Sequence, residues 1–269
     1  MRITPFAGIF LLALILLSLS SSNQTAEQVQ MANNPLARAN SIGFQNYFVP
    51  YLYGMGSMTA NTLMVRPVLV TPRLVMRATV PLVTAPCLKG DPLSGLGDIN
   101  IFATYVWNIH KYYTDIGFGP IIVLPTATDS ILGAGKYQAG AAMIIVQPLS
   151  RTVLTGSLIT WQTSVFGAGA DGDQRPSTSL LYFQPFYVFQ IGTGFTLKGT
   201  AIWTFDFTNG HYSIPVGFGL GKVIVAGNAL ISMGIEPQFT FLHRGAGQPE
   251  FQLYAGLSLQ FPVKPKAKE

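Results

Sequence analysis

Residues 250–261 read EFQLYAGLSLQF, and apolar residues alternate with polar or small residues along this stretch. The apolar set is Phe251, Leu253, Ala255, Leu257, Leu259 and Phe261, and the alternate set includes Glu250, Gln252, Gly256, Ser258 and Gln260. A period of two is typical of a β-strand whose two faces meet different surroundings. One face of this strand favours hydrocarbon, and the other favours water.

The same alternation recurs along the rest of the chain. It is clean in residues 99–109, 195–207 and 229–241, and less regular in 45–54, 61–71, 73–84, 113–124, 136–147, 152–165, 179–190 and 211–223. These segments add up to about twelve strands, and bacterial single-chain outer-membrane barrels have an even number. The connections alternate between short and long, which is the pattern of tight periplasmic turns and longer extracellular loops.

Composition decides which face meets lipid. Only 10% of the 269 residues are charged, while 49% are hydrophobic, and a soluble β-barrel or sandwich would carry about 25–35% charged residues on its surface. After the N-terminal region, the sequence has no run of about 18 apolar residues that would form a membrane helix. We therefore predict an all-β fold, a single antiparallel transmembrane β-barrel of about twelve strands in the bacterial outer membrane, in contact with its lipid.

The N-terminus is typical of a secretory signal peptide. Arg2 precedes an apolar run over 7–19 and a serine-rich stretch, and the run is shorter than the about 20 residues of a membrane-spanning helix. We predict a signal peptide over 1–25 that is cleaved between 20 and 26; the alternative is an uncleaved anchor. A periplasmic segment over 26–44, the barrel over 45–262 and a polar C-terminal tail over 263–269 follow, and the barrel-assembly machinery is an expected partner.

Six prolines lie inside the predicted strands, where each removes a hydrogen bond of the strand ladder. We predict β-bulges or strand breaks at these positions, which are Pro67, Pro81, Pro120, Pro185, Pro215 and Pro237.

The alternation places most charged residues of the strands on the water-filled side. A charge that faces lipid at the midplane would cost about 2–4 kcal/mol. The predicted lumen-lining residues are Arg66, Arg77, Asp98, Asp115, Lys136, Lys198, Asp206 and Glu236, and the same alternation places Arg73 and Lys222 on the water-facing side. Two interpretations stay open: Arg66, Arg77 and Glu236 line a permeation path, or the charges pair into a network that braces the barrel.

No motif in the chain points to a cofactor, a metal or nucleic acid. The Gly-x-Gly-x-Gly pattern at 217–221 has no helix after it, which does not fit a dinucleotide site. Asp171 and Asp173 are too few for a cation site, and the net charge of +5 is spread along the chain, which does not fit nucleic-acid binding. A single cysteine, Cys87, excludes an internal disulfide.

Several segments together resemble a known family of bacterial outer-membrane barrels. They are LMVRP (63–67), VPLVTAP (80–86), SGLGDI (94–99), PTATDSILGAGKY (125–137), FQPF (183–186), YSIPVG (212–217), GLGKV (219–223) and LQFP (259–262). The family is that of the phenol-degradation (MetA-pathway) outer-membrane proteins, also described as transporters, and the resemblance covers roughly 45–262. It implies an outer-membrane channel for aromatic or other hydrophobic compounds. The chain departs from the family at Ser130 and in its C-terminal tail.

We therefore predict a channel or transporter-type barrel that passes a small-molecule solute by diffusion and is not an enzyme. An alternative is a non-transporting structural or adhesive barrel whose outer loops, especially 166–178, bind partners. A third reading is a lipase-like barrel, in which His211 and Ser213 share a strand face. The other histidines, His110 and His243, lie at strand ends or in loops and form no recognisable motif.

Overall fold

A computed structural model describes residues 24–87, 90–109, 113–167 and 174–263. Almost all of the predicted signal peptide lies outside these residues, as do His110, Asp171, Asp173 and the polar tail from residue 264. Among the described residues, no helix has the length and apolar character needed to cross a membrane.

The described chain forms one short helix and fifteen strand segments. They are α1 (Ala26–Asn33), β1 (Ala39–Leu52), β2 (Ala60–Val70), β3 (Leu74–Ala85), β4 (Leu93–Leu96), β5 (Ile99–Ile109), β6 (Thr114–Leu124), β7 (Lys136–Pro148), β8 (Val153–Gly167), β9 (Ser179–Gln190), β10 (Phe195–Gly199), β11 (Trp203–Asp206), β12 (His211–Gly217), β13 (Gly219–Ala226), β14 (Ala229–Arg244) and β15 (Pro249–Pro262).

The strands close into an antiparallel barrel. β1 pairs with β2 on one side and with β15 on the other, and β15 continues to β14. Three barrel strands are each interrupted and form two segments. β4 and β5 both pair with β3, β10 and β11 both pair with β9, and β12 and β13 both pair with β14. Counted with these breaks, the barrel has the predicted twelve strands. Its first strand begins at Ala39 rather than at 45.

The two faces of the barrel are the reverse of a soluble one. Phe241 is 75% exposed on the outer surface, and Phe118 and Phe239 are also exposed there. On the inner face of β14 and β15, Gln238 and Gln252 are buried. A soluble barrel would bury the apolar face and expose the polar one. The prediction of lipid outside and water inside is therefore confirmed.

Each proline lies where the strand pairing is disturbed on one side. Pro67 pairs with Ile42 of β1, while the ladder between β2 and β3 skips it. Pro237 pairs with Leu253 of β15, and on its other side it lies where the neighbouring strand is interrupted between β12 and β13. Each residue of an antiparallel strand bonds to only one neighbour, so a missing N–H disturbs only one ladder. The predicted breaks are confirmed at Pro81, Pro120 and Pro185 in the same way, and Pro215 lies at a bulge.

Residues 24–38 lie inside the barrel at the end with the short turns, and short turns are expected to face the periplasm in outer-membrane barrels. A capping box starts α1: Gln28 N donates to Thr25 Oγ1 (3.2 Å), and Thr25 N donates to Gln28 Oε1 (3.0 Å). Gln260 Nε2 of β15 donates to the carbonyl of Ala32 (2.7 Å). Gln30 Nε2 donates to the carbonyl of Ser150 (2.9 Å), in the turn between β7 and β8. The segment is thus tied to separate parts of the barrel wall.

Candidate permeation pathway

The lumen has two chemically different walls. The apolar wall is formed by inward side chains of β2 to β9, which are Val68, Val75, Phe102, Ile121, Ile144, Leu154, Leu158, Phe186 and Val188. The polar wall is formed by β1, β10, β14 and β15, through Ser41, Gln45, Lys198, Ser232, Glu236, Gln238, Ser258 and Gln260. A solute in this lumen therefore meets hydrocarbon on one side and hydrogen-bonding groups on the other.

Two cavities follow each other along the lumen. The outer cavity, of about 600 Å³, is lined on one side by Tyr47, Thr62 and Pro81 and reaches the loop between β14 and β15. The inner cavity, of about 230 Å³, is bounded by residues 32–35 of the N-terminal segment. Four residues line both cavities: Arg66, Arg77, Leu158 and Gln184. We call this set the constriction.

The constriction has a basic side on β2 and β3. The Arg66 guanidinium donates to Gln45 Oε1 and, at 3.0 Å, to Met64 Sδ. The Arg77 guanidinium lies over the Phe102 ring, 4.4 Å from its centroid. The Nε atoms of both arginines are buried without a hydrogen-bond acceptor in the described structure. Both side chains contact neutral groups, so their positive charge is not cancelled locally.

Glu236 has a different role from the arginines. It is fully buried, and its carboxylate accepts from Thr200 N (2.9 Å), Thr200 Oγ1 (2.7 Å) and Gln238 Nε2 (2.8 Å). Thr200 lies in the break between β10 and β11, so its N–H has no ladder partner to bond. On the same face, Gln184 Nε2 donates to the Thr200 carbonyl (2.7 Å). Glu236 and Gln184 therefore close the barrel wall where the strand is interrupted.

The outer surface of the same break is closed by aromatic side chains. Tyr187 Oη donates to the carbonyl of Gly217 (2.9 Å), and Trp203 Nε1 donates to the carbonyl of Pro215 (3.0 Å). Both acceptors belong to β12, next to the gap between β12 and β13. Side chains on both faces thus replace ladder bonds that the backbone cannot make here.

The glycines at 217, 219 and 221 leave room on the inner face for the side chains of Glu236, Thr196 and Lys198. A Cβ on Gly217 would collide with Glu236 Oε1, and a Cβ on Gly221 would lie 2.6 Å from Thr196 Oγ1. The interpretation that these glycines relieve crowding on the inner face is confirmed, and the pattern is not a phosphate loop.

Two predicted lumen carboxylates hold outer connections. Asp98 accepts from Ala127 N (3.2 Å) and Ala134 N (2.7 Å), and so fastens the loop between β6 and β7. Asp206 accepts from Thr208 N (2.9 Å) and from Asn209 N (3.2 Å) and Nδ2 (2.7 Å), which stabilises the hairpin between β11 and β12.

The remaining predicted charges lie near the ends of the barrel. Asp115 accepts from Asn108 Nδ2 (2.6 Å) and lines a cavity of about 310 Å³ at the periplasmic mouth. Lys136 is buried at the start of β7. Arg73 lies in a periplasmic turn and donates to Tyr105 Oη (2.8 Å). Lys222 was expected to face water, but it lies on the outer side, 4.2 Å from the Phe195 ring centroid.

The charges do not brace the barrel by pairing at the constriction. Among the described residues, Arg66, Arg77 and Glu236 have no oppositely charged partner at ion-pair distance. The carboxylates instead accept mainly from backbone N–H groups and from hydroxyl and amide side chains. Bracing therefore comes from Glu236, Asp98 and Asp206, while the two arginines face the cavities.

The histidines form no catalytic arrangement in the described residues. The hydroxyl of Ser213 shares a hydrogen bond with Thr240 Oγ1 (3.4 Å) and not with His211. His243 stacks on Tyr53, with ring centroids 3.5 Å apart. The same residues contain no group of three or more His, Cys, Asp or Glu side chains that could hold a metal.

Sequence reasoning missed two parts of the pathway. One is the opposite side of the constriction, Leu158 and Gln184, which no local pattern distinguishes from other inward residues. The other is the N-terminal segment, whose Leu36 is buried among Val75, Phe102 and their neighbours. The capping-box sequence at Thr25 and Gln28 was a readable signal for a helix there.

Comparison with known proteins concerns the fold. No family model and no curated protein matches this chain. The COG4313 outer membrane channel from Pseudomonas putida F1 is 14% identical, with a TM-score of 0.59 over 83% of this chain and 96% of that one. The NanC porin is 7% identical, with a TM-score of 0.54 over 82% of this chain and 100% of that one. The chain is a barrel of the bacterial outer-membrane type. At these identities the likeness establishes this architecture and no residue's role.

Proposed function

We propose that this protein is a channel of the bacterial outer membrane that passes small solutes by diffusion. The main support for this proposal is the pair of cavities that follow each other along the lumen. They meet at the constriction formed by Arg66, Arg77, Leu158 and Gln184. A packed scaffold would fill this space with side chains. Pore width and a few lumen charges would then control passage, without a covalent step or a cofactor.

The proposed solutes have an apolar part. The apolar wall faces the pathway through Phe102, Leu158 and Phe186, and such a surface is costly to leave against water alone. The resemblance to phenol-degradation outer-membrane proteins supports aromatic or other hydrophobic solutes. The name of the Pseudomonas putida F1 protein, an outer membrane channel, supports passage in general.

One observation favours a non-transporting barrel instead. Residues 24–38 occupy the periplasmic mouth, where Val29 and Ala32 are buried against Val223 and Leu230. If this segment never leaves, the barrel is a closed scaffold whose outer loops would carry any function. We propose no enzymatic activity, because the Ser213 hydroxyl bonds to Thr240 rather than to a histidine.

Single-channel recording separates the channel from the scaffold. The native protein, purified from outer membranes in detergent, is reconstituted into planar lipid bilayers, and we expect discrete conductance steps. Leu158→Trp adds bulk at the constriction and should reduce the step size. Leu253→Trp is the matched control, because Leu253 lies on the outer face of β15. A native protein without conductance steps, shown to be folded by heat-modifiable gel migration, would refute the channel.

A further inference from the structure

We propose that the constriction is a binding site for the carboxylate of a small organic acid with an apolar or aromatic body. Arg66, Arg77 and Tyr47 would hold the carboxylate, and Phe102 and Leu158 would contact the body. This inference rests on the proposed function, because the site lies within the proposed pathway.

The first argument is the supply of unused hydrogen-bond donors. Arg66 is only 8% exposed and Tyr47 only 7%. The Arg66 Nε, the Arg77 Nε and the Tyr47 hydroxyl are all buried without a partner among the described residues. Buried polar groups in native proteins are nearly always hydrogen-bonded, and exceptions call for a physical reason. Three such groups around one pair of cavities are explained together if a ligand supplies the acceptor.

The second argument is charge. Two guanidinium groups line the constriction, and neither has a carboxylate at ion-pair distance in the described structure. Glu236 forms no ion pair with either of them, and its oxygens accept from Thr200 and Gln238 instead. The site therefore favours an anion. A guanidinium presents its N–H groups in a planar fork that matches the two oxygens of a carboxylate.

The third argument is the apolar surface beside the charge. The Arg77 guanidinium lies over the Phe102 ring, 4.4 Å from its centroid, and Leu158 lines the same cavities as the two arginines. Chloride or inorganic phosphate would leave this surface unused, and a neutral hydrocarbon would leave the donors unused. A carboxylate attached to a small apolar body uses both, and the outer cavity of about 600 Å³ has room for it.

Benzoate is a suitable probe, and binding is measured on the full protein in detergent by isothermal titration calorimetry. We expect benzoate to bind more tightly than benzyl alcohol, which lacks the charge, and than inorganic phosphate, which lacks the body. Arg66→Gln and Arg77→Gln should each weaken benzoate binding about tenfold or more, since each removes charge-assisted hydrogen bonds. Arg73→Gln is the matched control, because Arg73 lies in a periplasmic turn, and should leave affinity unchanged.

Tyr47→Phe removes only a hydroxyl, so this variant should still fold if the arginine variants do not. It should weaken benzoate binding several-fold. Equal binding of benzyl alcohol or phosphate, or benzoate affinity that none of the three site substitutions lowers, would overturn the inference. The measurement needs no membrane, so the two proposals fail separately. A protein that binds benzoate without conducting loses only the channel, and one that conducts without binding benzoate loses only this site.

Discussion

Leu36 is the side chain that fastens the N-terminal segment in the lumen, and Leu36→Ala should release that segment. Leu36 is buried in the apolar cluster with Phe102 and Ile144. A Cβ on Gly117 would lie only 3.3 Å from Leu36 Cδ2, so the glycine leaves space in the wall for this side chain. Truncating a buried leucine to alanine costs about 2–5 kcal/mol. The lower half of that range applies to a short segment, and about 2–3 kcal/mol shifts the seated-to-released equilibrium roughly 30–150-fold.

Current recording in planar bilayers measures this shift. We expect Leu36→Ala to spend a larger fraction of time in a higher-conductance state than the native protein. Met31→Ala is the matched control, since Met31 lies in the same segment but is 37% exposed, and its traces should resemble the native ones. If Leu36→Ala folds normally and its conductance states and their occupancies equal those of the native barrel, Leu36 does not hold a gate.

Three further substitutions test separate parts of the pathway. Arg66→Gln should lower the permeability ratio of chloride to potassium, measured as a reversal potential in a salt gradient, while Arg73→Gln should leave it unchanged. Glu236→Ala should lower the free energy of unfolding by about 3 kcal/mol in urea titrations, because it leaves the Thr200 N–H without its acceptor; Glu236→Gln keeps one acceptor oxygen and should lose less, and equal losses would contradict the role of that acceptor. Asp98→Asn should speed amide exchange in the loop over 125–135, and unchanged exchange there would show that Asp98 does not hold it.

The fold was predictable because a membrane barrel places opposite demands on the two faces of every strand. In β15, Leu253 and Leu259 face outward while Gln252 and Gln260 face inward, as the alternation predicts. The start of β1 was less readable, since residues 39–44 (ANSIGF) alternate weakly. Their strand conformation comes from pairing with β2 and β15 on both sides, and that pairing is not local information.

The alternation of inward and outward residues also shows why the prediction that Lys222 faces water was wrong. Gly217, Gly219 and Gly221 lie on the inner face, where Glu236, Thr196 and Lys198 crowd them, and the next residue must point the other way. Applied consistently, the period of two sends Lys222 outward. A charge on that face can still be accommodated when its ammonium lies over an aromatic ring, as that of Lys222 does over Phe195.

The constriction and the N-terminal segment lie in series, and this arrangement would separate two properties of the proposed channel. A solute from outside would enter the outer cavity, then meet Arg66 and Arg77, and then reach the inner cavity and residues 32–35. The arginines carry the uncompensated charge, so selectivity between anions and cations depends on them. The periplasmic mouth is filled by a segment that is held mainly by apolar contacts and a few hydrogen bonds. Conductance should therefore depend on how often that segment is released, while selectivity stays with the constriction in both states.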